Sequence, residues 1–194
     1  MIASFYPLLR RAMTGLCLVI GLISIAACGS SRSAGANIDD VGANSALKRV
    51  LLFDREHDYG DVDITVFEGR VMLTGTMRAQ DGQSRLVENA FKAPNVVQVI
   101  DETVLAERTS IGQGFEDSRI DRALKTKLLT DRGVTSRNYK IAVSNGVIYL
   151  LGVARDETEL SRVLNLATST ANVRRVVSHI LYQDDPSRYT RSYN

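Results

Sequence analysis

The apolar positions of this chain follow one plan twice. Ala46, Leu47, Val50, Leu51 and Phe53, and later Ile120, Ala123, Leu124 and Leu128, recur at helical spacing, the stripe through which an amphipathic helix buries one face. Asn44-Ser45 and Asp117-Ser118 stand before these stripes as candidate N-caps. Alternation follows: Val62, Ile64 and Val66, then Val71 and Leu73, matched by Tyr139, Ile141 and Val143, then Ile148 and Leu150. Glu68-Gly69 and Asn145-Gly146 separate the paired strands, and Asn-Gly supplies the positive φ angles of a tight hairpin. A second helix is predicted over 80–93 through Leu86, Val87 and Ala90, and over 157–170 through Leu160, Val163, Leu164 and Ala167. Pro94-Asn95 and Ala171-Asn172 end it, and Val96, Val97, Val99 and Ile100, matched by Val173, Val176, Val177 and Ile180, form a last strand. The predicted class is α+β: two tandem units of order αββαβ, each a small three-stranded sheet with one face covered by two helices.

The two units match without a gap when the chain is shifted by 77 positions. Each has about 60–70 residues, near the lower limit of independent stability, so a lateral contact between them is expected. The expected boundaries are 44–108 and 115–183, with a linker at 109–114 and a polar tail at 184–194 expected to be disordered.

Residues 1–27 belong to neither unit. Arg10 and Arg11 precede an apolar run over 16–27, too short to span a bilayer and flanked as an export signal is. It ends in Ile25-Ala26-Ala27-Cys28, which resembles a bacterial lipobox, whose cysteine becomes an acylated N-terminus; an ordinary secretory signal with an incidental cysteine is the alternative. Cys17 lies within the run, so cleavage leaves one thiol and no intrachain disulfide. Acylation of Cys28 with two chains would anchor the protein stably. Gly29-Ser30 after the cysteine, in place of an aspartate, suggests transfer to the outer membrane, facing the periplasm. Residues 28–43, rich in Ser, Gly, Ala and Asn, are expected to be a flexible tether.

Residues 66–75 carry the pattern V-x-x-G-x-V-x-L-x-G, residues 143–152 carry it with Ile148 at the second valine, and with the element order they resemble the BON domain. Two such domains behind a lipobox resemble the dual-BON outer-membrane lipoproteins of the DolP type. That resemblance implies a role in outer-membrane integrity, binding of anionic phospholipid through the second domain, and association with the outer-membrane protein assembly machinery. The chain departs from the pattern in carrying Asn95 and Asn172 where the family often has glycine before the last strand. It also lacks tryptophan, and Arg119 stands where the second domain of such proteins can offer an aromatic to the membrane.

Candidate chemistry narrows the picture further. The two histidines, His57 and His179, occupy unrelated positions of the repeat, and neither a Cys/His nucleophile nor a zinc spacing can be written. Asp54, Glu56, Asp58, Asp61 and Asp63 lack the central glycine and terminal glutamate of a calcium loop. No enzyme, cofactor or metal site is expected. Nucleic acid is a poor alternative partner, since export removes the opportunity and neither an aromatic stacking platform nor a recognition helix is evident.

Charge separates the copies. Residues 44–108 hold eight basic and eleven acidic side chains, and residues 115–183 hold eleven basic and seven acidic. On a 100° wheel Ile120, Leu124 and Leu128 face the core while Arg119, Arg122 and Lys125 occupy the other side, with Leu129 among them. A cationic face with an apolar side chain suits a helix settling among anionic headgroups; the alternative is an ordinary solvated face with Leu129 tucked under the next loop. A protein adaptor, docking through exposed strand edges or the acidic first copy onto an envelope assembly complex, is the second functional reading.

Overall fold

The computed structural model describes residues 34–54, 56–106, 110–190 and 192–193, with side chains from residue 40 and not that of 193. The export segment and Cys28 lie outside the described residues. The first copy comprises α1 (Ala34–Phe53), β1 (Val62–Phe67), β2 (Arg70–Met77), α2 (Gln80–Lys92) and β3 (Gln98–Leu105). The second comprises α3 (Ile111–Thr130), β4 (Tyr139–Ser144), β5 (Val147–Ala154), α4 (Glu157–Thr168) and β6 (Arg175–Tyr182), followed by a 3-10 turn (Pro186–Tyr189) and the short strand β7 (Ser192–Tyr193).

In each copy a hairpin joins two antiparallel strands, and a helix crosses from the second strand to a parallel third, placing β2 and β5 at the centres of their sheets. The hairpins require φ > 0 at two successive positions: Glu68 and Asn145 both lie at 52°, Gly69 at 74° and Gly146 at 75°. Asn95 and Asn172 also adopt left-handed geometry, at 60° and 64°, which is why asparagine serves where glycine is common. The glycine closing each strand motif is set by contact: a Cβ on Gly75 would lie 1.9 Å from the Asp61 carbonyl oxygen, and one on Gly152 would lie 2.2 Å from that of Asn138.

One buried carboxylate holds each hairpin to its first helix. Asp40 accepts from the backbone N–H groups of Glu68 and Gly69, both at 2.9 Å, and Asp117 accepts from those of Asn145 and Gly146 at 2.7 and 2.8 Å. Asp117 is therefore not the N-cap its sequence position suggests. Ser110 caps α3, which begins at Ile111 and absorbs most of the expected 109–114 linker. Likewise α1 begins at Ala34, ten residues before Asn44, so the latter part of the expected tether is helical. Asn44 instead donates to the Ile64 carbonyl.

Each sheet buries both faces. Towards the helices, Ile64, Val66, Val71, Leu73 and Val99 pack on Ala43, Leu47, Leu86 and Ala90, and Ile148 and Leu150 pack on Ile120, Leu124, Leu128, Val163 and Ala167. On the other faces, Phe67, Met72 and Ile100 meet Ala142, Tyr149, Leu151 and Val153. The sheets lie back to back, helices outermost. Arg70, buried between them, donates to Gln98 Oε1 (2.7 Å), the His179 carbonyl (2.9 Å) and the Gly152 carbonyl (3.4 Å). Burial lowers its pKa to about 10, which still leaves the guanidinium charged at neutral pH. His179 Nε2 meets Glu102 Oε1 at 2.8 Å across the same interface, and these two residues sit 77 positions apart. Contact between equivalent positions is what an approximate two-fold axis produces.

Where the sequence suggests a disordered tail, residues 186–189 form the 3-10 turn and 192–193 the strand β7. β7 adds in parallel to β3 and gives the first sheet a fourth strand, and Arg188 forms an ion pair with Glu68 at 2.6 Å. These contacts reach across roughly a hundred positions of chain, which local periodicity does not register.

The copies differ where their first helix turns into β1 or β4. In the second, buried Glu159 accepts from the Thr135 and Arg155 N–H groups and from the Arg155 guanidinium. Its counterpart is Gly82, over which His57 lies, 2.9 Å from where a Cβ would stand. His57 Nδ1 meets Asp54 Oδ2 at 3.1 Å, and the Tyr59 hydroxyl donates to the same oxygen at 2.9 Å.

Two predictions follow from these anchors. Asp117→Ala or Asp40→Ala leaves two hairpin N–H groups unmet and is expected to cost about 2–3 kcal/mol, read from the urea midpoint. The His57 pKa is raised from 6.5, chiefly by its bond to Asp54, so its contribution is complete below that value and is lost as pH rises through the elevated one. Asp54 is lowered from 3.8 to about 2, chiefly by the Glu56 N–H, so its contribution is lost only as pH falls towards 2. Stability from this loop is greatest between about pH 4 and 6.5. Urea midpoints should fall above that window, and His57→Gln should flatten the fall.

Candidate functional site

The outer face of α3 is the most distinctive surface. Ser110 Oγ accepts from the Gln113 N–H to start the helix, and Asp117, Ile120, Leu124 and Leu128 turn inward. At 100° per residue Ile111, Phe115, Arg122 and Leu129 fall within about 40° of one another on the opposite side. Ile111 is 83% exposed, Phe115 67% and Leu129 74%. Leu129 is thus not tucked under the following loop. Eighteen residues at 1.5 Å each stretch this stripe over about 27 Å.

All three cations named from the sequence lie on this exposed side, with unequal freedom. Arg119 pairs with Glu116 at 3.2 Å and Lys125 with Asp121 at 2.7 Å, while Arg122 Nε donates to the Ser118 carbonyl at 3.1 Å. The two ion pairs are solvent-exposed, so each holds its cation only weakly, on the order of 0–1 kcal/mol. Arg119, Arg122, Lys125 and Leu129 are therefore brought together on one surface.

Four residues join this face that were not singled out from the sequence. Ile111 falls in the expected linker and Phe115 at its border. Extending the helical register towards the N-terminus would have found them, because 111, 115, 122 and 129 are spaced by four and seven. Arg137 and Lys140, both exposed, flank the far end of α3. With Lys125 they border a cleft of about 490 Å³ between the copies, whose apolar lining includes Ile64, Val66, Leu128 and Leu129. No periodicity places Arg137 and Lys140 there; the packing of β4 beside β1 does. Arg162, by contrast, lies 3.7 Å from Asp131, and Arg174 packs on Gly146, both off the α3 stripe.

The matching side of α1 is poorer in charge. Leu52, the counterpart of Leu129, is exposed, as are Val41 and Phe53, but Gly42, Ser45 and Lys48 stand where α3 has Arg119, Arg122 and Lys125. Among the described residues Asp54, Glu56 and His57 also bring possible ligand atoms within 4.8 Å of one another. Asp54 and His57 are already engaged there with each other, and Asp54 with Tyr59, in closing the loop. No helix among the described residues is long and apolar enough to cross a membrane.

Comparison with known proteins agrees with the duplicated architecture. The BON-domain family model matches residues 39–107 and 116–184. A protein of Anaplasma centrale encoded in the gshII 5' region is 28% identical over 63% of this chain and 82% of its own length. The 21 kDa hemolysin of Actinobacillus pleuropneumoniae is 27% identical over 78% of each chain. Outer membrane lipoprotein DolP of Haemophilus influenzae is 23% identical over 84% of this chain and 85% of its own. With both matched segments coinciding with the two sheet-and-helix units, the chain belongs to the BON-domain family and carries two copies of the domain in tandem.

Proposed function

We propose that this chain is a non-enzymatic lipoprotein of the outer membrane, anchored on the periplasmic side through Cys28, whose second BON domain binds anionic phospholipid and thereby supports membrane integrity. The observation that carries this reading is the outer face of α3: Ile111, Phe115 and Leu129 exposed in line with Arg122 and flanked by Arg119 and Lys125. A peripheral helix gains from both parts of such a face. Apolar side chains enter the acyl boundary, and each nearby cation contributes on the order of 1 kcal/mol at an anionic surface. Phe115 supplies, one turn away, the aromatic that Arg119 displaces. The relative named an outer membrane lipoprotein supports the compartment, and the lipobox resemblance at Ile25-Ala26-Ala27-Cys28 supports the anchor.

The non-enzymatic reading rests on what the titratable clusters already do. Asp54, His57 and Tyr59 close one loop, Glu159 and Arg155 close the other, and Asp40 and Asp117 hold the hairpins.

Protein lacking its first 28 residues should sediment with vesicles containing phosphatidylglycerol or cardiolipin. Binding should weaken steeply from 0.1 to 1 M salt as the screening length shortens from about 10 to about 3 Å. Reversing Arg119, Arg122 and Lys125 to glutamate should abolish it, and Phe115→Ser should weaken it about tenfold, with melting unchanged in each variant. Absent or salt-insensitive sedimentation would remove lipid recognition from α3. Separately, Cys28→Ser in the full chain should shift the protein from the membrane to the soluble fraction of fractionated cells; continued membrane recovery would remove the anchor.

A further inference from the structure

The hairpin of the first copy contains a residue its geometry does not favour. Glu68 sits at φ 52°, where the second copy has Asn145 at the same angle, and left-handed backbone suits asparagine better than glutamate. The carboxylate explains the choice. Glu68 Oε2 accepts from Arg188 Nη2 at 2.6 Å and from Nε at 3.2 Å. Both side chains are almost fully buried, that of Arg188 being 4% exposed and that of Glu68 6%. Arg188 also donates to the Gln183 carbonyl.

Four residues beyond Arg188 the chain joins the edge of β3. The Ser192 N–H donates to the Val97 carbonyl at 2.9 Å, and Ser192 and Tyr193 pair in parallel with Gln98 and Val99. A two-residue ladder holds weakly alone; a charge-assisted anchor next to it supplies strength and fixes register. The second copy has neither half of this arrangement among the described residues: Asn145 replaces Glu68, and β6 has no strand on its outer edge.

We propose that the β3 edge together with Glu68 is a docking site for an extended protein segment bearing an arginine four residues before its pairing strand, kept closed in cis by this chain's own C-terminal segment. The backbone ladder accepts any extended segment, and buried Glu68 demands the arginine. A partner segment with this pattern displaces Arg188 and the strand at 192–193 and leaves the α3 face untouched, so this site is independent of lipid recognition.

A labelled peptide of residues 184–194 tests the site by fluorescence anisotropy on the full chain in detergent. Arg188→Ala frees the chain's own segment, and this variant should bind the peptide at least tenfold more tightly than the unaltered chain. Adding Glu68→Asn, which keeps a residue suited to the turn and should leave the melt intact, should abolish binding, as should arginine-to-alanine in the peptide. Equal binding by the unaltered chain and the Arg188→Ala variant, no binding by either, or binding that survives Glu68→Asn would overturn the proposal. A concentration-dependent dimer of the unaltered chain would place the segment on a second copy and overturn closure in cis.

Discussion

The apolar seam between the two sheets is the contact on which the rest of the molecule depends. Phe67, Met72 and Ile100 would face water in an isolated first copy, and Tyr149, Leu151 and Val153 would do so in an isolated second. Units of this size bury too little surface to be comfortably stable alone. Placing the uncovered faces together gives each sheet a second core, and β2 and β5 become central strands buried on both sides. Arg70 is buried deep in the seam, which is tolerable because three acceptors meet its guanidinium.

With that frame shared, the copies are free to differ at their margins. Equivalent positions carry Gly82 and Glu159 under the loop that follows the first helix, so one copy closes it with a histidine cluster and the other with a buried carboxylate. Equivalent turns carry Glu68 and Asn145, so only the first copy holds the C-terminal segment. Equivalent helices carry different outward faces, and only α3 combines exposed apolar side chains with three cations. Duplication preserved what folds the domain, and divergence assigned the two outer surfaces different chemistry.

The two proposed surfaces, one for lipid and one for an extended strand, are physically separable. One lies on the outer face of α3, where binding would draw on charge and partial burial of Phe115 and Leu129. The other lies at the β3 edge, where it draws on backbone hydrogen bonding and a buried ion pair. An acyl anchor ahead of α1 would leave both accessible to partners of different kinds.

The duplicated α+β fold was legible in the residues themselves. The ungapped match, the alternation at 62–66 and 139–143, and the Asn-Gly turn all encode local geometry, and local geometry is what periodicity and φ preference report. The basic side of α3 was legible for the same reason, because a helix fixes angular position from spacing alone. Features set by packing involve partners distant along the chain. Asp117 stands where spacing suggests an N-cap, but its role depends on Asn145 and Gly146, and Arg188 lies in the polar tail while its partner Glu68 is 120 positions away. Arg137 and Lys140 joined the α3 surface only once β4 lay beside β1. Buried charges and strand edges take their meaning from what packs against them, and that pairing is settled by burial of the sheets rather than by the residues nearby in sequence.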